Sequence, residues 1–290
     1  MARTAAGDPE PAWDRARLEE AVMASLIGEI DALKPGNVHR FAGGHGMCYE
    51  DFITSAEVST PLLCEAGAGV GRRVLDAAVA TRHAVGTNTN LGILLLFAPL
   101  VVAAERRAAG ESLQKALAKQ LAALHKSDAE LVFEAIRTAA PGGLGHAPRY
   151  DVHFPPDCSL QAAMAAAADR DLVARQYQDG FEEVFSFGLG ALHEFERRWH
   201  ELEWATVGCY LRFLAGFPDS HVRRKCGAEV AEQIRRQSEA VLRRFEKKKK
   251  PGSAVGMLLE YDKELKDAHV NPGTSADLTA ASLLVYRLEV

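Results

Sequence analysis

The segment "LGILLLFAPLVVAA", residues 91–104, most restricts how this chain can fold. A helix built from it has no polar face for water, so it must be covered by other parts of the protein. The run is too short to cross a bilayer. Pro99 predicts a kink, because proline removes a backbone donor and crowds the preceding turn. We therefore expect a buried, kinked helix inside a soluble protein.

The remaining sequence predicts that further helices cover this segment. Leu18, Val22, Leu26 and Ile30 recur at helical spacing, and strand signals are almost absent although 48% of the residues are hydrophobic. The predicted fold is an all-α, multi-helix bundle forming one domain, residues 1–290, with 1–11 disordered. Helices are expected at about 12–33, 49–69, 71–85, from 91, and at 111–125, 127–140, 159–216, 219–248, 252–268 and after 277.

Charge and composition exclude two classes of partner. The formal net charge of -5 provides no basic field for nucleic acid, and the four lysines at 247–250 fit the end of a helix. The N-terminal residues have no apolar leader. We expect a cytoplasmic protein that binds neither nucleic acid nor a membrane. The sequence leaves a homodimer open.

The polar break "KPGNVHRFAGGHG", residues 34–46, is the first candidate site. Its glycines allow backbone N–H groups to approach a ligand, while Lys34, Arg40 and two histidines could meet phosphate oxygens. This combination suits a nucleotide or another phosphorylated small molecule. The alternative is a solvated loop whose glycines serve only its turns.

Two later breaks precede helices. In "GTNTN", residues 86–90, four polar side chains stand before the apolar helix, where one would be enough to cap it. In "NPGTSADLTAASLLVY", residues 271–286, Thr274 or Ser275 can cap and Asp277 falls in the first turn, so capping alone can explain that segment. The irregular piece at 141–159 is long enough to indicate a functional or mobile loop.

Two helix faces carry charged residues at helical spacing. Asp171, Arg175 and Asp179 lie four apart in "AADRDLVARQYQDGFEEVF", so the face could be a surface salt-bridge array or could hold Mg²⁺ or a ribose. The face of His193, Glu196 and His200 permits metal binding, but a solvated face explains it better.

The three breaks together resemble the triphosphoribosyl-dephospho-CoA synthase family. That family has Pro-Gly-Leu-Val-Asp-Arg, Asn-Thr-His-Lys-Gly and Pro-Gly-Gly-Ser-Ala-Asp-Leu, and this chain has, in the same order, the segments 35–40, 88–92 and 272–278. The resemblance covers most of the chain. His39 replaces an aspartate, Asn90-Leu91 replaces the His-Lys pair, and Gly46-Met47-Cys48 stands where the family has Asp-Met-Asp.

The resemblance implies a transferase that uses ATP in coenzyme or prosthetic-group biosynthesis. In the family reaction a ribose hydroxyl attacks C1 of the ATP ribose and adenine leaves, and Mg²⁺ could accompany the ATP. The implied catalytic residues are Glu29, His39, Asp171 and Asp277. The implied substrate- and phosphate-binding residues are Lys34, Gly36, Asn37, Arg40, Thr87, Asn88, Asn90, Arg175, Arg224, Lys225 and Ser275.

The segments "GNVHRF", "GTNTNLGILLLFAPL" and "APGGLG" are also similar to a diverged branch of the family, found in archaea and bacteria with methanogen-type one-carbon coenzymes. Two alternatives remain open. One is a different transfer step in the biosynthesis of a pterin or furan coenzyme, and the other is a non-catalytic helical protein that binds a nucleotide or coenzyme. A composite site requires residues 269–277 to lie near residues 34–40.

Overall fold

The computed structural model describes residues 13–289, so the predicted disorder of residues 1–11 lies outside the described part. Within that part the chain is all-α, as predicted, and has only two isolated bridges in place of strands. The helices are α1 (Arg15–Asp31), α2 (Tyr49–Leu63), α3 (Val70–Val85), α4 (Leu91–Arg106), α5 (Leu113–Ala122), α6 (Lys126–Ala139), α7 (Leu160–Ala165), α8 (Leu172–Asp179), α9 (Leu189–Trp199), α10 (Leu202–Gly216), α11 (Ser220–Cys226), α12 (Ala228–Glu246), α13 (Val255–Asp267) and α14 (Gly273–Glu289).

Helix α4 is the centre of the bundle, as its sequence predicted. Every residue from Ile93 to Ala104 is buried, and α1, α2, α3, α5, α8 and α14 contact the helix. Pro99 lies inside it and has no N–H to donate to the carbonyl of Leu95. The hydroxyl of Tyr177 on α8 donates to that carbonyl over 2.6 Å. The side chain of one helix thus satisfies the acceptor that proline leaves free in another.

The predicted helical segment at 159–216 is not one continuous helix. The segment contains α7, α8, a π-helical turn at Glu183–Gly188, α9 and α10. Helix α8 ends because Gly180 and Phe181 both have positive φ, 66° and 64°, which a right-handed helix cannot accommodate. Glycine is common at such an end, whereas phenylalanine gives no sequence signal for it.

Three other boundaries differ from the prediction. The segment at 219–248 divides at Gly227, whose φ is 96°. Helix α2 ends at Leu63 instead of continuing to residue 69. Helix α14 begins at Gly273, so Thr274 and Ser275 lie within its first turn and Asp277 lies beyond that turn. The capping explanation of that segment is therefore wrong, which releases these side chains for other contacts.

None of the helices between residues 13 and 289 combines the length and the apolar content that crossing a bilayer requires.

The aromatic packing between α9, α10 and α12 gives a test of this fold. A Cβ atom at Gly208 in α10 would lie 2.3–2.8 Å from ring atoms of Phe195, which is fully buried and stacks on Trp199. We expect Gly208→Ala to lower the free energy of unfolding by about 1–3 kcal/mol because the rigid ring cannot retreat. Chemical denaturation measures this change.

Gly190 in α9 is the matched control, since a Cβ there would have no atom within 4 Å. Gly190→Ala should stabilise the protein by about 0.5–1 kcal/mol through a lower entropy of the unfolded chain. Equal effects of the two substitutions would contradict the packing described here.

Candidate active site

A cavity of about 650 Å³ opens where several helix ends and loops meet. Its lining comes from the loop at 34–46, the starts of α4, α8 and α14, the end of α11, and the loop at 141–159. These are the places where a helical bundle can present polar groups without disturbing its apolar interior. All three polar breaks contribute, so the cavity is the candidate site.

The first and third breaks are in contact, as the composite site requires. Asn37 donates from Nδ2 to Oδ1 of Asn271 over 2.8 Å. The N–H of Gly36 donates to Asp262 over 2.8 Å, and Tyr210 donates its hydroxyl to the carbonyl of Pro35 over 2.6 Å. These bonds fix the loop from both sides. Gly36 lies behind the cavity wall, with φ of 84° and no space for a Cβ.

Glu29 and Lys34 form a buried ion pair in the wall of the cavity. Burial raises the pKa of Glu29 and lowers that of Lys34, and the attraction between the two charges opposes both shifts. The ammonium of Lys34 also lies 3.2 Å from Oδ1 of Asn37. Glu29 and Asn37 line the cavity, whereas Lys34 lies behind them. The structure thus gives Lys34 a positioning contact instead of an open path to phosphate.

Two further residues of the first loop do not line the cavity. His39 is fully buried, accepts from the N–H of Phe41 at Nδ1 and has Nε2 3.3 Å from Asp262. Burial lowers the pKa of His39, so its imidazole is neutral near pH 7. Arg40 is exposed and pairs with Glu203 at 2.6 Å. The loop therefore contributes to the cavity chiefly through Asn37, His45 and Met47.

The start of α4 supplies the second wall. Asn88 accepts at Oδ1 from the N–H of Leu91 over 3.1 Å and is thus the cap that the sequence allowed. Thr89 shares a 2.6 Å hydrogen bond with Ser55. Asn90 is only 5% exposed, lines the cavity, and has no partner for Nδ2 among the described residues. Thr87 also faces the cavity, so this break provides donors beyond the needs of a helix start.

Asp277 faces this wall from α14. A Cβ at Gly92 would lie 2.0 Å from Oδ2 of Asp277, so glycine is required for the carboxyl group to occupy its position. Asp277 forms no hydrogen bond or ion pair with the described residues. Burial and the nearby carboxylates of Glu29, Asp219 and Asp171 raise its pKa well above the ordinary value. Asp277 therefore holds its proton to a higher pH than an ordinary aspartate does.

The side of the cavity around the last turn of α11 is cationic. The positively charged residues of the whole lining are Arg82, Arg170, Arg223, Arg224 and Lys225. Three of them form the last turn of α11, and Arg224 is held by the carbonyl of Gly142, 3.1 Å away, and by Asp171, 3.5 Å away. Arginine side chains match the geometry of phosphate oxygens. This side of the cavity suits a polyphosphate.

The face predicted from Asp171, Arg175 and Asp179 is not present as a salt-bridge array. Asp171 is the N-cap of α8 and accepts from the N–H groups of Val173 and Ala174. Arg175 pairs with Glu183 at 2.5 Å and does not line the cavity. The break at Gly180 redirects the chain, which explains why helical spacing gave the wrong partners.

Ser275 and the residues around it position the cationic turn. Buried Asp219 accepts at Oδ2 from the N–H and the hydroxyl of Ser275, over 2.7 and 2.9 Å, and caps α11 at Oδ1. Ser275 itself does not line the cavity. The aspartate thus joins the first turns of α11 and α14, and holds the helix with the basic end beside the helix that carries Asp277.

His221 is a cavity residue that the sequence analysis missed. Its Nε2 is buried without a partner among the described residues, and its ring packs against Gly273, where a Cβ would lie 2.4 Å from Nδ1. Burial, with the charges of Arg224, Lys225 and His45, lowers its pKa to about 3, so the imidazole is neutral. The signal in the sequence that could have indicated His221 is its place in a short helix that starts with a capping aspartate, Asp219, and ends in a basic turn.

The cavity combines cations that suit phosphate oxygens with carboxyl groups that can exchange protons, which is the equipment of a group-transfer enzyme. Residues 15–290 match the model of the family described as ATP:dephospho-CoA triphosphoribosyl transferase (CitG). The chain belongs to this family and is a transferase of prosthetic-group biosynthesis.

A solved structure agrees with this assignment. A protein of Archaeoglobus fulgidus, provisionally described as a triphosphoribosyl-dephospho-CoA synthase, is 25% identical to this chain and superposes with a TM-score of 0.61. The match covers 80% of this chain and 95% of that chain. No curated protein matches the sequence closely enough to count as a relative.

The raised pKa of Asp277 predicts how stability depends on pH. The folded state keeps this proton to a higher pH than the unfolded chain, whose aspartate has the ordinary pKa of 3.8. The folded state therefore binds more protons in this window, and stability is lost as the pH rises through it. Because asparagine cannot ionise, Asp277→Asn should raise the Tm relative to wild type, and more at pH 8 than at pH 5.

The control for this measurement is Asp76→Asn, which removes an exposed carboxylate paired with Arg72 on α3. Its effect on the Tm should change little between the two pH values, because exposed pairs contribute little to stability. A Tm difference for Asp277→Asn that stays constant with pH would show that this carboxyl group is not perturbed.

Proposed function

We propose that this transferase moves the triphosphoribosyl group of ATP to a ribose hydroxyl of a dephospho-CoA-type acceptor and releases adenine. The observation that carries the proposal is the position of Asp277. This carboxyl group has a raised pKa and no hydrogen-bond partner among the described residues, and it lines a cavity that also carries a cluster of cations. A reaction that binds a polyphosphate and protonates a leaving base needs these two features together.

The triphosphate would bind to the cationic side. Arg223, Arg224 and Lys225 come from one helical turn, and Arg82 and Arg170 come from two other segments. This cluster offsets the replacement of the family's His-Lys pair by Asn90-Leu91. Leu91 is buried in the core and Asn90 offers only a neutral amide, so the phosphate-binding charge of this chain lies elsewhere in the cavity.

The sugar would be oriented by neutral donors at the start of α4. The unpartnered Nδ2 of Asn90 points to a ligand acceptor, because a buried donor without a partner costs about 1–3 kcal/mol until it is satisfied. Thr87, Asn88 and Asn37 add polar groups around it. These groups suit ribose hydroxyls and the edges of a base.

The chemical step requires two proton transfers. The acceptor oxygen forms a bond to C1 of the ATP ribose as the bond from C1 to adenine breaks. Asp277 would donate its proton to the departing adenine, and the carboxylate of Asp171 would take the proton of the attacking hydroxyl. Glu29, which lines the cavity, would in its ionised form stabilise the positive charge that develops at C1.

The donor set also fits Mg²⁺, which would neutralise charge on the triphosphate when bound. Mg²⁺ takes one or two protein carboxylates together with phosphate oxygens. Glu29 fits this requirement, since Lys34 occupies only Oε1 and the residue lines the cavity. The neighbouring carboxylates that raise the pKa of Asp277 repel one another, and a bound cation would reduce that repulsion.

The nature of the acceptor is the finer part of the proposal. A pterin- or furan-type acceptor is the alternative to dephospho-CoA, and the resemblance to the branch with one-carbon coenzymes and the altered Asn90-Leu91 pair are the two features that motivate it. The assay below distinguishes the two, since adenine release depends on the acceptor supplied. A homodimer stays a prediction.

Asp277→Asn tests the chemical role. With Mg-ATP and dephospho-CoA, the wild-type protein should release adenine and form a triphosphoribosyl adduct, both measured by mass spectrometry. We expect the substitution to reduce the rate by about 10²–10⁴-fold because asparagine cannot donate the proton. Binding of ATP should change by less than a few-fold, with Asp76→Asn as the control.

The outcomes of this assay separate the alternatives. Adenine release that requires a one-carbon coenzyme intermediate instead of dephospho-CoA would keep the chemistry and change the acceptor. A folded protein that binds ATP without releasing adenine with any acceptor would support the non-catalytic binding protein. Full activity of Asp277→Asn would exclude this residue as the acid.

Arg224→Ala tests the phosphate contact. Removal of one guanidinium from the cationic side should weaken ATP binding by about tenfold or more, in line with about 1.5–3 kcal/mol for a hydrogen bond to a charged group. Calorimetric titration with ATP and with adenosine measures the effect. Adenosine binding should be unchanged because it has no phosphate.

Arg72→Ala is the matched control, since Arg72 is exposed on α3 and pairs with Asp76. If Arg224→Ala weakened adenosine and ATP equally, the residue would be holding the loop through Gly142 and not the triphosphate.

A further inference from the structure

The loop at 141–159 contains a cluster that the transferase chemistry does not use. His146, Asp151 and His153 place one ligand atom each within 4.8 Å of one another. Nδ1 of His146 lies 3.0 Å from one carboxylate oxygen of Asp151, and Nδ1 of His153 lies 2.6 Å from the other. Within the part of the chain that the structure describes, no other three such groups converge in this way.

We propose that His146, Asp151 and His153 bind a divalent transition-metal cation of the zinc class. Two imidazole nitrogens and one carboxylate oxygen are a ligand set that zinc takes in proteins, whereas Mg²⁺ and Ca²⁺ prefer oxygen ligands alone. Three protein ligands leave one coordination position for water or another ligand.

The spacing of the ligand atoms fits such an ion after a small movement. Tetrahedral zinc with bonds of about 2.0–2.1 Å separates its ligand atoms by about 3.3 Å. The two imidazole nitrogens lie 3.0 and 2.6 Å from different oxygens of Asp151, which is shorter than this distance, and the two histidine side chains are 81% and 43% exposed, so they can move without disturbing the core. In neutral imidazoles the proton would shift from Nδ1 to Nε2, which frees the ligand atom.

Asp151 is already held in the orientation that a ligand needs. Its carboxylate accepts from the N–H of Ala147 over 3.0 Å and from the N–H of His153 over 2.9 Å, and its side chain is only 9% exposed. Backbone donors of this kind fix a metal-binding carboxylate from the side opposite the ion. The exposed imidazoles complete the site from the solvent side.

The position of the cluster gives the ion a structural consequence. His146 and Asp151 also line the cavity, so an ion held between them lies at the cavity wall. The loop is joined to the bundle by a 2.5 Å hydrogen bond from Arg137 to the carbonyl of Val152 and by Arg224 near its start. A metal would link His146 to Asp151 and His153, five and seven residues further along the chain, and would restrict the loop that lines the cavity.

Zinc binding to the full-length protein is the test. After dialysis against EDTA, calorimetric titration with ZnCl₂ should show one equivalent bound. His146→Ala, Asp151→Asn and His153→Ala should each lower the affinity by about 10–100-fold, the loss expected when a metal site is disturbed. His83→Ala removes an exposed histidine on α3 and should leave the binding unchanged.

A second measurement reports on the loop itself. Trypsin can cut after exposed Arg149, and zinc should slow this cleavage in the wild type but not in His153→Ala. Absence of zinc binding, equal loss in His83→Ala, or equal binding of Mg²⁺ would each overturn the proposal. Neither measurement uses ATP or an acceptor, so its outcome is separate from that of the transferase assay.

Discussion

The site depends on one buried carboxylate, Asp219. Its two oxygens accept from backbone and hydroxyl donors at the starts of α11 and α14. Burial raises its pKa, while these donors stabilise the charged form and oppose the shift. The two helices that it joins carry opposite chemistry, since α11 ends in three cations and α14 carries Asp277. One side chain therefore sets the separation between the cationic and the acidic sides of the cavity.

Several buried charged residues of this protein are paired, and the pairs fix the conformation of the first loop. The Glu29–Lys34 pair and the contacts of Asp262 with His39 and Lys266 hold the first loop. Buried pairs often add little net stability because desolvation offsets their attraction. Here they give the loop a single arrangement, with Asn37 directed to Asn271 and Glu29 facing the cavity. Some charged residues that the sequence suggests as ligand-binding groups instead position the side chains that line the cavity.

The sequence could predict the features that local chemistry determines. The apolar run at 91–104 had to be a covered helix, and the polar side chains at 86–90 exceeded what capping needs. The predicted proximity of residues 269–277 to residues 34–40 is confirmed by the hydrogen bond between Asn37 and Asn271. The sequence could not predict which charged residues face the cavity. Lys34, Arg40 and Arg175 are paired elsewhere, and those pairings depend on partners at other points of the chain. Arg82 and His221 enter the site from helices far apart in sequence, and no local pattern distinguishes them from surface residues.

The absent N–H of Pro99 fixes how far along α4 the helix α8 can bind through its tyrosine. In the middle of an ordinary helix every carbonyl already accepts an intrahelical hydrogen bond, so no position there favours a tyrosine hydroxyl over any other. Here Leu95 presents one free acceptor, and Tyr177 can satisfy it at only one height along α4. Asp171 is the N-cap of the same short helix, so this contact helps to place it relative to the start of α4. The carbonyl that proline leaves free in the most apolar helix thus contributes to the position of one wall of the polar cavity.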